Sequence, residues 1–382
     1  MLWFCLAAAL ATSPSITFFG LGDWGLRNDD QKAVAVQLDK SALTYRPNFL
    51  ISLGDNFYEK GVSSDDDIQW NLTYRDVYVG EGLEGVPWYA ILGNHDYREN
   101  PEAQILYWKH KRDTRWIMMD RFYNQSFASC LMESNRLNCL HVDVFFLDTV
   151  ILAPEEDHDL SVPADALTRE KEQLEWLEHG LESSRADWKI VAGHYPVYSA
   201  GEHGDQVTMQ KKVLPLLEKY GVHLYLCGHV HTMQHLHRKK STANLEFMVS
   251  GNGAKRGKIV RPENVQAEIK FAKVDPAFSI HTLTQSSMHT RFIDKDGQEI
   301  YSYIQPREIA TRIFPNHSWG PGQVVGLIFG IILAVSACVV FLLTYLRSRN
   351  HGYNRFSHDS ATDTDSQMME RVGPLSPMTP SP

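Results

Sequence analysis

The chain has 382 residues, of which 43% are hydrophobic and 22% charged, with a formal net charge of -9. These are ordinary globular values, and the length suits one large domain or two smaller ones. The acidic balance and the lack of a basic run exclude nucleic-acid binding as a primary role.

Leu2 to Ala11 is a short apolar run ending in Ala9-Leu10-Ala11, a small-x-small pattern that suits signal-peptidase cleavage, so residues 1–11 read as a signal peptide. From Ile16 onward strand-like and helix-like segments alternate. Ile16–Leu21, Phe49–Leu53, Trp88–Leu92, Val142–Leu147, Lys189–Ala192, His223–Cys227 and Phe247–Ser250 are apolar runs of strand length. Val34, Ala35 and Leu38 recur at helical spacing within Asp29–Ser41, as do Leu174, Leu177 and Leu181 within Thr168–Ser183. Val207–Tyr220 reads as one helix stopped by Gly221. Glu99–Arg121 is polar and aromatic, an irregular or helical excursion. From about Phe271 the chain reads as β-hairpins, one of them turning at Asp294-Lys295-Asp296-Gly297. Strand–helix alternation argues for an α/β layered domain.

Val324 to Leu346 is 23 residues without a charge, followed at once by Arg347 and Arg349. That length crosses a bilayer as a helix, and the arginines mark the cytoplasmic side. Signal and span together predict a single-pass type I membrane protein. Residues 311–323 would be a juxtamembrane linker outside the cytosol, and 347–382 a tail too polar to bury a core. The glycosylation sequons at Asn71, Asn124 and Asn316 all lie on the outer side. Of five cysteines, Cys5 falls in the signal and Cys338 in the span. Cys130 and Cys139 are positioned to close a local disulfide in an oxidising compartment, and Cys227 reads as a small buried hydrophobe.

Five strand ends deliver metal-ligating residue types. They are Gly22-Asp23-Trp24-Gly25, Gly54-Asp55-Asn56-Phe57-Tyr58, Gly93-Asn94-His95-Asp96, Gly193-His194-Tyr195-Pro196 and Gly228-His229-Val230-His231. In α/β sheets ligands bind beyond the carboxyl ends of the strands, and a glycine before each donor permits tight turns and close approach. The Asp55 carboxylate has two oxygens to share between two cations. Tyr58 supplies a phenolate, a hard anion suited to a trivalent ion.

The order of these motifs resembles that of the calcineurin-like metallophosphoesterases, and their detail resembles the purple acid phosphatases, above all the small tartrate-resistant branch. Ala192-Gly193-His194-Tyr195-Pro196-Val197 and Leu147-Asp148-Thr149-Val150 carry the likeness too. The resemblance covers about Ile16 to Glu308, which makes 12–310 the catalytic domain. It implies a four-layer αββα sandwich, with the C-terminal membrane helix and tail as additions. It places Asp23, Tyr58 and His231 on a ferric ion. Asn94, His194 and His229 would hold a divalent ion (Fe, Zn or Mn), and Asp55 would bridge the two. A water acidified by the metals would then attack phosphorus as hydroxide. His95 and His203 are expected beside the substrate, one of them protonating the leaving group, with Asp96 behind His95.

The sequence departs from the family at Val230 and Thr232, where Asp and Asn are usual. It also departs at Ala153 and Thr208, where the branch carries a cysteine pair. The implied function is an acid phosphatase acting on small phosphomonoesters or phosphoproteins. A phosphodiesterase or nucleotide pyrophosphatase, or a receptor that has kept the fold, are the alternatives. Tyr353-Asn354-Arg355-Phe356 fits a Tyr-x-x-bulky sorting signal read by clathrin adaptors, which points to the endosome or lysosome, with the cell surface as the other destination.

Overall fold

The structure is a computed structural model that describes residues 13–157, 160, 163, 165–239, 244–260, 266–307 and 343. The expected signal, linker and tail lie outside the described residues, as do all of the expected span except Leu343 and the sites Asn316, Tyr353 and Phe356. No helix among the described residues is long and apolar enough to cross a membrane.

The first half builds one sheet from apolar strands and a capped helix. Strand β1 (Ile16–Leu21) is buried at every position. Helix α1 (Asp29–Tyr45) begins at Asn28, whose side chain accepts the Gln31 N–H, and its first turn carries Asp29 and Asp30. Then come β2 (Phe49–Ser52), β3 (Trp88–Ala90), α2 (Glu102–Lys109) and β4 (Trp116–Ile117). The Glu99–Arg121 excursion is therefore one short helix followed by an edge strand.

The second sheet starts with a long hairpin, β5 (Tyr123–Glu133) and β6 (Arg136–Phe146). It turns at Ser134 and Asn135, both in the left-handed region. The apolar run of the sequence marks only its last third. The rest mixes exposed and half-buried residues, with Phe127, Leu131, Met132, Leu137 and Leu140 scattered among polar ones, so it gives no continuous apolar run. After α3 (Thr149–Leu152), α4 (Ala166–Ser183) and β7 (Trp188–Ala192), the single helix expected over 207–220 is broken. It forms α5 (Val207–Lys212) and α6 (Leu214–Lys219), because Pro215 has no N–H to carry the helical ladder across the junction. Strands β8 (Leu224–Cys227), β9 (Met233–Arg238), β10 (Glu246–Ser250) and β11 (Ala267–Lys273) complete this sheet. Strands β12 (Ala277–Leu283), β13 (Ser287–Asp294) and β14 (Glu299–Pro306) return to the first. The β13–β14 turn holds Gly297 at φ 84°, as the Asp-Gly signal implies.

The sheets run β14-β13-β12-β1-β2-β3-β4 and β11-β9-β10-β8-β7-β6-β5. Neighbouring residues show how they stack. Phe146 stacks on Tyr89 of the opposite sheet at 5.7 Å, while Phe145 meets Trp176 of α4 at 5.9 Å. Phe49 lies 3.9 Å from Phe127 across the same interface. Strand side chains alternate between faces, so one face of each sheet fills the centre and the other takes helices. Asn71 and Asn124 are exposed. Cys130 and Cys139 pair across the β5–β6 hairpin as a disulfide, and Cys227 is buried and free.

The core also holds a polar liability. His281 is buried between the Thr290 and Ser279 hydroxyls at 2.9 and 3.0 Å, and burial pushes its pKa from 6.5 down to about 3. In the unfolded chain it takes a proton below about pH 6.5, but in the fold only near 3, so acidification through that window favours unfolding. His281→Asn is expected to flatten the acid limb of the stability–pH curve by up to about 3 kcal/mol between about pH 6.5 and 4.5, read by thermal unfolding. Parallel curves for the two proteins would contradict this.

Candidate metal centre

The carboxyl ends of β1, β2, β3, β7 and β8 converge. Asp23, Asp55, His229 and His231 have φ of 59°, 51°, 69° and 53°, so their backbones turn sharply back as each strand ends. The glycines let these loops touch. A Cβ on Gly93 would stand 2.3 Å from both the backbone N and Oδ1 of Asp55. One on Gly54, itself at φ 87°, would stand 2.6 Å from His194 Nδ1.

Two donor groups result. In the first, the Tyr58 hydroxyl lies 3.0 Å from Asp23 Oδ1, 2.8 Å from Asp55 Oδ2 and 3.4 Å from His231 Nε2. His231 Nε2 is 3.3 Å from Asp23 Oδ1. In the second, Asn94 Oδ1 lies 3.1 Å from His194 Nε2 and 3.2 Å from His229 Nδ1, and those nitrogens are 3.3 Å apart. Asp55 belongs to both, because its Oδ1 is 3.4 Å from His194 Nε2. Ligands at bond lengths of about 2.0–2.2 Å around one ion lie about 3 Å from one another.

The proton inventory fits cations. His194 Nδ1 donates to the Leu53 carbonyl at 2.8 Å, so Nε2 presents a lone pair. The Asn94 amide donates to Asp157 at 2.8 Å, so its oxygen also faces inward. These two acceptors 3.1 Å apart call for positive charge between them. Likewise Tyr58 has one hydroxyl proton for two carboxylates. Burial, reinforced by the Asp55 charge, pushes Asp23 up to about 8 even though His194 opposes the rise. Burial and the same two carboxylates push Tyr58 well above 10. Bound cations reverse both shifts by displacing the protons. Burial, then Lys255, holds His231 down to about 4, and burial, then His194, holds His229 well below 6.5. The imidazoles therefore keep their lone pairs in mild acid.

The supporting contacts differ in part from the sequence expectation. Asp96 does not orient His95. Its carboxylate accepts the N–H groups of Gly93 at 2.9 Å and of Asn56 and Phe57 at 3.1 and 3.2 Å, and the Gln104 amide at 2.8 Å. It ties the Asp55 loop to the Asn94 loop, because adjacent residues of the tight 95–98 turn point in different directions. His95 is held instead by the Glu59 carbonyl, 2.7 Å from Nδ1, leaving Nε2 3.9 Å from Asp55 Oδ2. His203 packs its ring 4.4 Å from His229 at the mouth. Thr232 accepts the Gln234 amide at 2.7 Å and Val230 is buried. Ala153 is buried, and Thr208 donates to Glu155 in place of a disulfide.

Above the donors opens a cavity of about 410 Å³. His95 and His203 line it together with Arg98, Asp157, Glu202, Lys255 and Arg256, none of which the sequence singled out. Lys255 stands 4.6 Å over the Tyr58 ring. Its loop, Gly251-Asn252-Gly253-Ala254-Lys255-Arg256, follows β10. That is a sixth glycine-led strand end, and only the absence of a ligand residue type hid it.

A two-sheet α/β fold with acid, phenol, amide and imidazole donors beyond its strand ends defines a metallophosphoesterase. The chain belongs to the calcineurin-like phosphoesterase family, whose model matches residues 16–233, and within it to the purple acid phosphatases. Purple acid phosphatase 4 of Arabidopsis thaliana is 32% identical over 76% of this chain and 83% of its own length. Tartrate-resistant acid phosphatase type 5 of Homo sapiens is 33% identical over 77% and 92%. Among solved structures, GAP50, described as the anchor in the inner membrane complex of Plasmodium, matches at 25% identity and TM-score 0.67 over 77% of this chain and 90% of that one. The yellow lupin purple acid phosphatase PPD1 shares the fold at 15% identity and TM-score 0.56, over 77% and 54%. The protein is a phosphatase.

Proposed function

We propose that the protein hydrolyses phosphomonoesters at acid pH with a binuclear Fe(III)–M(II) centre. Asp23, Tyr58 and His231 would hold the ferric ion, and Asn94, His194 and His229 the divalent one. Asp55 would serve both. The observation that carries this is the double membership of Asp55, which touches each donor group at the floor of an open cavity. When bound, the metals would clamp phosphoryl oxygens and lower the pKa of a coordinated water. The chain's own groups supply the rest. His95 and His203 line the cavity, and either would hand a proton to the leaving oxygen. Lys255 and Arg256 put cationic side chains on the cavity wall, Arg256 held there by Asp30 at 2.8 and 2.9 Å.

The enzyme works outside the cytosol in this reading, tethered by 324–346, glycosylated at Asn71, Asn124 and Asn316, and sorted through Tyr353 and Phe356 by a clathrin adaptor. The Cys130–Cys139 disulfide supports an oxidising compartment.

The test is metal analysis and a visible spectrum of the detergent-solubilised full-length protein, with hydrolysis of a simple aryl phosphate. Bound iron and a phenolate-to-iron absorption band are expected. Tyr58→Phe is expected to lose the band first, while its carboxylate and imidazole neighbours still hold metal. A colourless wild-type protein containing only zinc would refute the ferric assignment. The likeness to GAP50, itself described as an anchor, gives a second reading, an anchoring protein that has kept the fold. Absence of both bound metal and turnover would favour it.

A further inference from the structure

We propose that an N-linked glycan on Asn124 guards the open edge of the second sheet against pairing with a second copy of this chain. This rests on the glycosylated, extracytosolic reading above. Among the described residues the two sheets end in four strands, β14 and β4 in the first and β11 and β5 in the second. An open strand edge presents unpaired N–H and C=O groups, and proteins blunt it with shortness, charge, proline or a bulge. Three of the four edges carry such devices. Strand β4 has two residues. Strand β11 carries Glu268, Lys270 and Lys273 and shifts register between Ile269 and Phe271. Strand β14 begins on Glu299, ends on Pro306 and meets its neighbour through a register shift at Phe292 and Ile293.

Strand β5 has none of them. Its eleven residues, Tyr123–Glu133, contain no Lys, Arg, Asp, Pro or Gly, and the one charge is Glu133 at the far end. It pairs with β6 residue for residue, from Tyr123 opposite Phe146 to Glu133 opposite Arg136, without a shift. Leu131 and Met132 near that end are 37% and 68% exposed. A long edge strand without proline and almost without charge is a template for another chain.

What β5 does carry is the sequon Asn124-Gln125-Ser126. Side chains alternate along the strand. Phe127 turns inward onto Phe49, whereas Asn124, Ser126 and Ala128 are exposed on the other face. The occupant that the glycan excludes is a second copy, because the strand is complementary to itself. An antiparallel β5–β5 pair centred on Ala128 sets Glu133 opposite Tyr123 and brings no like charges together. In that ladder Asn124 stands opposite Met132 of the second copy. Neighbouring strands lie about 4.8 Å apart, so a bulky hydrophilic glycan rooted on this edge overhangs the space the second strand needs.

The test uses the detergent-solubilised full-length protein from a secretory host. Glycopeptide mass spectrometry reads the occupancy of Asn124, light scattering the protein mass, and amide hydrogen exchange the protection of residues 123–133. Wild type is expected to be occupied and to hold one copy per particle. Asn124→Gln is expected at least to double in protein mass and to gain protection on β5. Wild type trimmed by an endoglycosidase after folding should do the same, which separates pairing from misfolding. Adding Ala128→Lys to Asn124→Gln should restore the single copy, because two lysines then oppose each other at the centre of the pair. Asn71→Gln is the control and should leave the mass of a single copy. An unoccupied Asn124 overturns the proposal together with the glycosylation of that residue. An occupied Asn124 in a protein already paired through β5, or one whose removal leaves a single copy, overturns the guard and leaves the glycosylation standing. Association without protection of β5, or undiminished by Ala128→Lys, overturns it in favour of another surface.

Discussion

Asp55→Ala is expected to strip both metals of the proposed binuclear centre and to lower the phosphatase rate by on the order of a thousandfold or more, equivalent to several kcal/mol of transition-state stabilisation. The reason is geometric. Each of the other donors belongs to one group, whereas Asp55 reaches Tyr58 at 2.8 Å with one oxygen and His194 at 3.4 Å with the other. It also accepts the His95 backbone N–H at 2.9 Å, which holds the Asn94 loop in place. Asp55 is itself favoured as an anion. Burial raises its pKa, but His194 and His95 outweigh that and leave it below the usual carboxylate value. Removing the carboxylate leaves two incomplete donor sets and an unpaired buried N–H. Metal analysis of the variant is the decisive measurement, and retention of one full equivalent of either metal would refute the shared role.

Trp24→Ala is expected to cost about 3–5 kcal/mol in folding stability and to weaken metal binding as a consequence. Trp24 directly follows Asp23 and is wholly buried. Its ring meets Tyr78 at 5.2 Å, Phe57 at 5.7 Å and Trp88 at 5.8 Å, in edge-to-face geometry. Its indole N–H donates to the Ser52 hydroxyl at 2.8 Å, and that hydroxyl donates to Asn56 at 2.5 Å. One side chain therefore links the loop carrying Asp23 to the loop carrying Asp55. Trp24→Phe keeps most of the packing and loses the hydrogen bond, so it should fall between wild type and Trp24→Ala in denaturant midpoint. Equal metal affinity in wild type and Trp24→Ala would show that the cluster supports the fold without positioning the site.

Much of this protein was legible one segment at a time. Strands such as Phe49–Ser52 are buried on both faces, so they read as unbroken apolar runs, and each donor follows such a run after a glycine. Short-range chemistry of this kind survives in the sequence, including the Asp-Gly turn at 296–297. Elements that depend on partners far along the chain did not survive. Most of the β5–β6 hairpin scatters its apolar residues among polar ones, and it is recognisable as a strand pair only through its register. The helix break at Val213 was written in Pro215, but it was hidden by the apolar periodicity around it.

The inventory of donors, their order and the glycine turns that expose them are local properties, each set by neighbours a few residues apart. Which donors touch is a property of the assembled fold. The sheets bring Asp23 within 2.8 Å of the His229 backbone across 206 residues of chain. They turn Asp96 beneath the loops instead of toward His95, and they set Lys255 over Tyr58. The physical reason is that a donor's identity is local, whereas the distance between two donors is fixed by strand register and by how two sheets stack.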